Sequence, residues 1–248
     1  QEERFTRIKG DSSFPHHAID YCLQECGISI DDVGTIVFYE NSVDKFERLL
    51  MSVHMTVPKS ILSFWAAMPK WLTGNLWMES MIAKELGIKK RKILFCAHHM
   101  SHAASAFYPS PFEEAAILTV DGVGEWSTAT YGIGKGNTIR LDRELRFPNS
   151  LGLLYSAFTF YTGFKINSGE YKLMGLAPYG EPKYADVICR ELIHINNDGT
   201  IILNQKYFNY TFGIRTINKK FEVLFGKAAR KPESPITQHE MDIAASIQ

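Results

Sequence analysis

Apolar residues recur along the chain with two spacings, three-to-four and two, and these separate helices from strands. Ala18, Ile19, Cys22 and Leu23 fall at helical spacing behind Ser13-Phe14-Pro15 and predict a helix through about Cys26, stopped by Gly27. Val33 to Tyr39 is a short run rich in β-branched residues and predicts a strand, entered from the turn Asp31-Asp32. Helical patterns follow from Asp44 to about His54 and from Asn75 to Leu86, with Gly87 as the stop. Lys92 to Ala97 predicts a second buried strand. It runs directly into a helix over His98 to Phe107, which Pro109 and Pro111 terminate.

The pattern then changes character. Ala115 to Asp121, Trp126 to Ile133 and Thr138 to Phe147 are three successive strand patterns joined by the glycine-rich turns Gly122-Val123-Gly124-Glu125 and Gly134-Lys135-Gly136-Asn137. Short turns between consecutive strands predict an antiparallel meander. Helices are expected at Leu151 to Tyr161, Glu170 to Ala177 and Lys183 to Arg190. The stretch from His194 to Pro235 reads as irregular, with short strands near Ile201 to Leu203. Met241 to Gln248 reads as an amphipathic helix. Helices alternating with strands favour an α/β class with a mixed sheet and flanking helices.

Composition narrows the picture only a little. The 248 residues are 45% hydrophobic and 22% charged, ordinary for a globular chain long enough for one large domain or two small ones. Lys+Arg and Asp+Glu balance at 27 each, so no net field recruits nucleic acid or an anionic membrane. No apolar run reaches the roughly 20 residues that span a bilayer, since Pro69, Lys70 and Gly74 interrupt Ile61 to Trp77. Cys22, Cys26, Cys96 and Cys189 form no close pair of the Cys-x-x-Cys kind. They are expected as buried small apolar side chains in a reducing, cytoplasmic compartment. The chain opens on Gln1 without an initiator Met, and its last helical pattern stops in mid-stride, which predicts a piece of a longer protein.

Candidate chemistry sits in three places. His98 and His102 are four apart at the start of a helix, so both imidazoles leave one face and suit two ligands of one metal ion. His99 lies about 100° round the helix and is expected to pack or support instead. Asp121 ends an apolar strand ahead of Gly122 and Gly124, which let the backbone turn closely around a bound group; an ordinary turn Asp capping the next amides is the plain alternative. Two histidines and a carboxylate leave coordination positions open, as catalytic sites do. In Asn167 to Gly180, a helix start near Gly169 and Glu170 with Lys172 on its first turn and Gly175 beyond it is a possible anion site. A capped helix with Lys172 in solvent explains it equally well. Arg4, Arg7 and Lys9 could meet phosphate or simply be solvated, and Phe64, Trp65, Trp71 and Trp77 read as core sooner than as a substrate mouth.

Gln1-Glu2-Glu3-Arg4-Phe5-Thr6-Arg7, His98 to Phe107, Val120-Asp121-Gly122 and Gly169 to Gly180 together, in that order, resemble the O-carbamoyltransferases of the NodU/CmcH type. The resemblance runs over nearly the whole chain. It implies an actin-like ATPase (ribonuclease H-like) domain, related to the tRNA threonylcarbamoyl transferases, of which residues 1–248 would be part. By the same resemblance His98, His102 and Asp121 are ligands of a divalent metal, Fe2+ first and Zn2+ or Mn2+ as alternatives. Asp121, Gly122, Gly124, Lys172 and Gly175 would hold ATP or carbamoyl-adenylate. A general base is expected upstream of residue 1, with a fourth ligand and a YrdC-like domain that makes the adenylate from ATP and carbamoyl phosphate beyond Gln248. The implied whole enzyme transfers a carbamoyl group to a hydroxyl of a small molecule such as a sugar or antibiotic, as a possible homodimer. The alternative is an ATP-binding phosphotransferase or a non-catalytic nucleotide- and metal-binding member of the same fold. Acceptor specificity is expected in loops at Lys59 to Asn75 and His194 to Pro235.

Overall fold

The structure is a computed structural model and describes residues 1–89, 92–212 and 215–248. It is a mixed α/β arrangement, but the single mixed sheet expected from the sequence is divided among three small sheets of one sense each. β1 (Ile36–Phe38) and β2 (Ile93–Phe95) pair in parallel, with Val37 opposite Leu94. A parallel pair requires a long crossover, and here it is helical. It consists of α3 (Ser42–Thr56), α4 (Ile61–Thr73), a 3-10 turn at Asn75–Trp77 and α5 (Met78–Leu86). Ahead of them lie a one-turn α1 (Glu3–Thr6) and α2 (His16–Cys26), which ends on left-handed Gly27.

The meander is present as read. β3 (Glu114–Val120), β4 (Ser127–Lys135) and β5 (Thr138–Arg146) form an antiparallel sheet in chain order. One face packs on α6 (His98–Phe107), where Ala103, Phe107 and Ile117 are buried together. Gly134 is needed for that packing, because a Cβ there would stand 2.7 Å from the Phe107 ring.

The largest core lies in the C-terminal half. It gathers α7 (Leu151–Tyr161), α8 (Glu170–Leu176), α9 (Ala185–Glu191), the hairpin β6 (Ile193–Ile195)–β7 (Ile201–Leu203), α10 (Lys219–Leu224) and α11 (Gln238–Ile247). Phe158, Tyr161, Phe221 and Phe225 meet there at centroid separations of 5.0 to 5.7 Å, mostly edge-on or tilted. α11 starts at Thr237 in a capping box, with the Glu240 carboxylate returning to the Thr237 amide.

Four expectations need correction. Lys59 to Asn75 is mainly the helix α4 rather than a loop, because Ala, Leu and Met support helix on both sides of Pro69. His194 to Pro235 contains β6, β7 and α10, although Gly213 and Ile214 within it lie outside the described residues. Cys22, Cys26 and Cys189 are exposed and only Cys96 is half-buried; α2 has no fully buried residue, and Ala18, Ile19 and Leu23 on its apolar spacing are half-buried while Cys22 is not. Trp65 and Trp77 are likewise exposed. No helix among the described residues is long and apolar enough to cross a membrane.

Candidate metal centre

α6 and β3 bring the first two motifs to one point. β2 delivers the chain to the helix start, so His98 and His102 project from the first turn and the next. Asp121 is the residue immediately after β3. His98 Nε2 stands 2.7 Å from Asp121 Oδ2 and 3.1 Å from His102 Nε2, and His102 Nε2 stands 3.7 Å from Asp121 Oδ2. Among the described residues, this is the one group of three or more His, Cys, Asp or Glu side chains close enough to share an ion.

Hydrogen bonding accounts for this convergence poorly. If His98 Nε2–H donates to Asp121, that nitrogen has no lone pair left for His102, which is left with a share of one bifurcated proton. A cation accepting a lone pair from each atom does account for it. The point equidistant from the three atoms lies about 1.9 Å away in their plane, and a small displacement reaches the roughly 2.0–2.2 Å of bonds from His nitrogen and carboxylate oxygen to a transition metal. The donor set therefore fits a divalent metal. Because His102 is exposed, the far side of such an ion opens to solvent and ligand.

The electrostatics follow from the same contacts. The His98 hydrogen bond, against the opposing effect of burial, holds the Asp121 carboxyl far below the usual carboxylate range. In return that bond raises His98. His99 turns away, as its position on the helix predicts. Its Nε2–H donates to the Ser127 carbonyl at 2.8 Å and its Nδ1 receives the Thr119 hydroxyl at 2.6 Å. Burial lowers its pKa, so it is a neutral strut between helix and sheet.

Residues that drew no attention in the sequence complete the frame. The Ser150 hydroxyl, fully buried at the start of α7, reaches the carbonyls of Asp121 at 3.1 Å and Gly122 at 2.6 Å and caps Leu153 N. Gly152 permits this approach, since a Cβ there would lie 2.5 Å from the Asp121 carbonyl oxygen. Gly124 also makes room for His98, since a Cβ on it would stand 2.9 Å from His98 Cβ. Gly122 has only Leu153 Cδ2 nearby, at 3.9 Å.

The Gly169 to Gly180 segment makes contacts of its own. The Glu170 carboxylate accepts from the amides of Asn167 and Gly169 and from the Ser156 hydroxyl, filling the start of α8 with the helix's own acid. Lys172 is exposed, and Gly175 has no neighbour within 4 Å of a notional Cβ. From the basic opening, Lys9 Nζ donates to the Tyr171 hydroxyl at 2.7 Å and lies over its ring, which sets Lys9 beside the Lys172 turn. No hydrogen bond or ion pair among the described residues joins Lys172 to His98, His102 or Asp121.

The sequence is similar to known proteins along its whole length. An uncharacterized protein of Synechocystis sp. is 58% identical over 255 residues, covering 100% of this chain and 42% of that protein. The nodulation protein NolNO of Sinorhizobium fredii is 32% identical over 255 residues, covering 100% of this chain and 34% of its own length. The nodulation protein NolO of Bradyrhizobium diazoefficiens is 32% identical over 154 residues, 61% of this chain and 25% of that protein. The chain thus spans between a quarter and about two fifths of these relatives. Residues 1–248 match the family described as Carbamoyltransferase N-terminus from end to end, and the chain belongs to that family.

Proposed function

We propose that this chain forms the metal-binding part of an O-carbamoyltransferase, which moves a carbamoyl group from carbamoyl-adenylate to a hydroxyl of a small molecule such as a sugar or antibiotic. The adenylate would be made from ATP and carbamoyl phosphate by a further, YrdC-like region. The fold of the whole domain would be actin-like. The convergence of His98, His102 and Asp121, which hydrogen bonds alone explain poorly, carries this reading; family membership supplies the reaction class.

Each residue then has a task. His98 and His102 offer Nε2 lone pairs and Asp121 an oxygen, held by Ser150 behind it. Fe2+, Zn2+ or Mn2+ bound there would supply a Lewis acid for the carbamoyl carbonyl. Asp121 is ionised throughout the physiological range because its carboxyl is held so low. His98 must shed its proton to become a ligand. A proton on Nε2 competes with metal, so affinity rises as pH climbs through the raised His98 pKa and falls below it. The nucleotide would lie along the Asp121–Gly124 turn, with exposed Lys172 reaching its phosphate.

The test is Asp121→Ala in the full-length protein, with metal content and turnover of carbamoyl transfer to a hydroxyl acceptor measured together. Both should fall at least tenfold. Unchanged metal and turnover would remove the assignment, and ATP consumption indifferent to carbamoyl phosphate would favour a phosphotransferase.

A further inference from the structure

A histidine that binds metal through Nε2 is usually aimed by a hydrogen bond from its other ring nitrogen to a carboxylate or carbonyl. His98 lacks that device: its Nδ1 is buried and has no hydrogen-bond partner among the described residues. Something else must set the direction of this ring. Two neighbours in the turn after Asp121 are in place to do so. Gly124 lies flat against the His98 side chain, and Glu125 holds its backbone.

Glu125 is only 9% exposed. Both of its oxygens accept from the His98 amide, at 3.1 Å each, and Oε1 also accepts from the Asn41 amide at 2.7 Å. α6 has no cap of its own, since Ala97 at its N-cap offers no side-chain acceptor. A carboxylate at a helix N-terminus satisfies free amides and faces the positive end of the helix dipole. Here that carboxylate comes from a segment 27 residues on. It therefore joins the loop after β1, the first turn of α6 and the turn that follows Asp121. The last two adjoin the candidate ligands: His98 opens α6 with His102 one turn on, and Asp121 stands just ahead of the turn.

We propose that Glu125 is a positioning residue: by gripping the His98 amide from the Asp121 turn, it fixes the separation and aim of His98 relative to Asp121 in place of a hydrogen bond at Nδ1. The proposal rests on the metal reading for its consequence, but its geometry exists without metal. A charge nearby belongs to the same arrangement. Arg48, half-buried over the Phe147 ring, has an Nε without a hydrogen-bond partner among the described residues and feels the charges of Glu125 and Glu40.

Glu125→Ala and Glu125→Gln in the full-length protein test this, with Co2+ as the probe. The alanine variant should bind Co2+ about tenfold to a hundredfold more weakly, with altered d–d absorption. Glutamine keeps one carbonyl acceptor for the His98 amide, so it should restore binding to within about threefold and recover the spectrum. An alanine variant that loses thermal stability but binds Co2+ with wild-type affinity and spectrum makes Glu125 a helix cap and nothing more, and overturns the proposal. A wild-type protein that binds no Co2+ would sink the metal reading instead. In that case the NMR shift of the His98 ring Cε1–H in metal-free protein decides. It should move in the alanine variant and return in the glutamine one, and an unmoved shift overturns the proposal.

Discussion

Among the glycines near Asp121, the motif points to Gly122 and Gly124, and the packing points to Gly124 and Gly152. Gly122 has a negative backbone φ and room for a methyl group, so Gly122→Ala is expected to change stability by less than about 1 kcal/mol. Gly152→Ala would press a Cβ to 2.5 Å from the Asp121 carbonyl oxygen, which is backbone and cannot swing aside. Alanine ordinarily favours a helix over glycine, so a loss of about 1–3 kcal/mol in urea unfolding would be diagnostic of that contact. Gly124→Ala is expected to displace His98 and weaken metal binding about tenfold, measured by titration, with a smaller effect on unfolding. Equal effects at all three positions would contradict this ranking. The sequence pointed to His98, His102 and Asp121 only weakly through local rules, helical four-residue spacing and the end of a strand, and it was the order of motifs in the family resemblance that joined the three. Ser150, Gly152 and Glu125 were not legible there, since their partners lie 27 to 31 residues away and only the folded meander brings them close.

At the scale of elements, the strands of the meander and the helices α3, α6 and α7 were readable because a single period governs each. α4, β6 and α10 were missed. Pro69 disguised the first, and three- to six-residue elements are too short to show a period. α11 was half seen, although Thr237-Gln238-His239-Glu240 spells out its capping box. Its Glu240 is almost fully buried and pairs with Lys227 Nζ at 2.6 Å. Burial opposes ionisation there, but Lys227, the Thr237 hydroxyl and the Thr237 amide outweigh it and bring the carboxyl down to about 2. A carboxyl depressed on folding contributes stability that is complete above its unfolded pKa, near 4.5, and is lost as pH falls towards 2. The difference is on the order of 3 kcal/mol. Thermal unfolding should therefore show a drop in midpoint between pH 5 and about 2 that is shallower in Glu240→Gln. A variant with an unchanged acid profile would mean that Glu240 is not the group responsible.

For the whole molecule, the distribution of apolar side chains matters more than their number. α4 is apolar on both sides: Met68 faces inward and buried, while Leu62 at 79% and Trp65 at 69% exposure face outward. A helix apolar all round is normally enclosed. The outer face of the meander repeats the pattern, with Leu118 72% exposed and Val120, Tyr131 and Ile133 also open, on a sheet whose β3 edge has no neighbour among the described strands. Unpaired strand edges and large apolar patches drive association. The relatives at hand are more than twice as long as this chain, so additional polypeptide or a second copy has surface to cover. Residues 1–248 produced alone are expected to bind a hydrophobic dye strongly and to sediment as a concentration-dependent mixture. Leu118→Lys combined with Leu62→Lys should reduce both without lowering the unfolding midpoint, because neither side chain is packed. The full-length protein should bind less dye per molecule than residues 1–248. If residues 1–248 sediment as a dye-free monomer, these faces are simply tolerated in water and nothing needs to cover them.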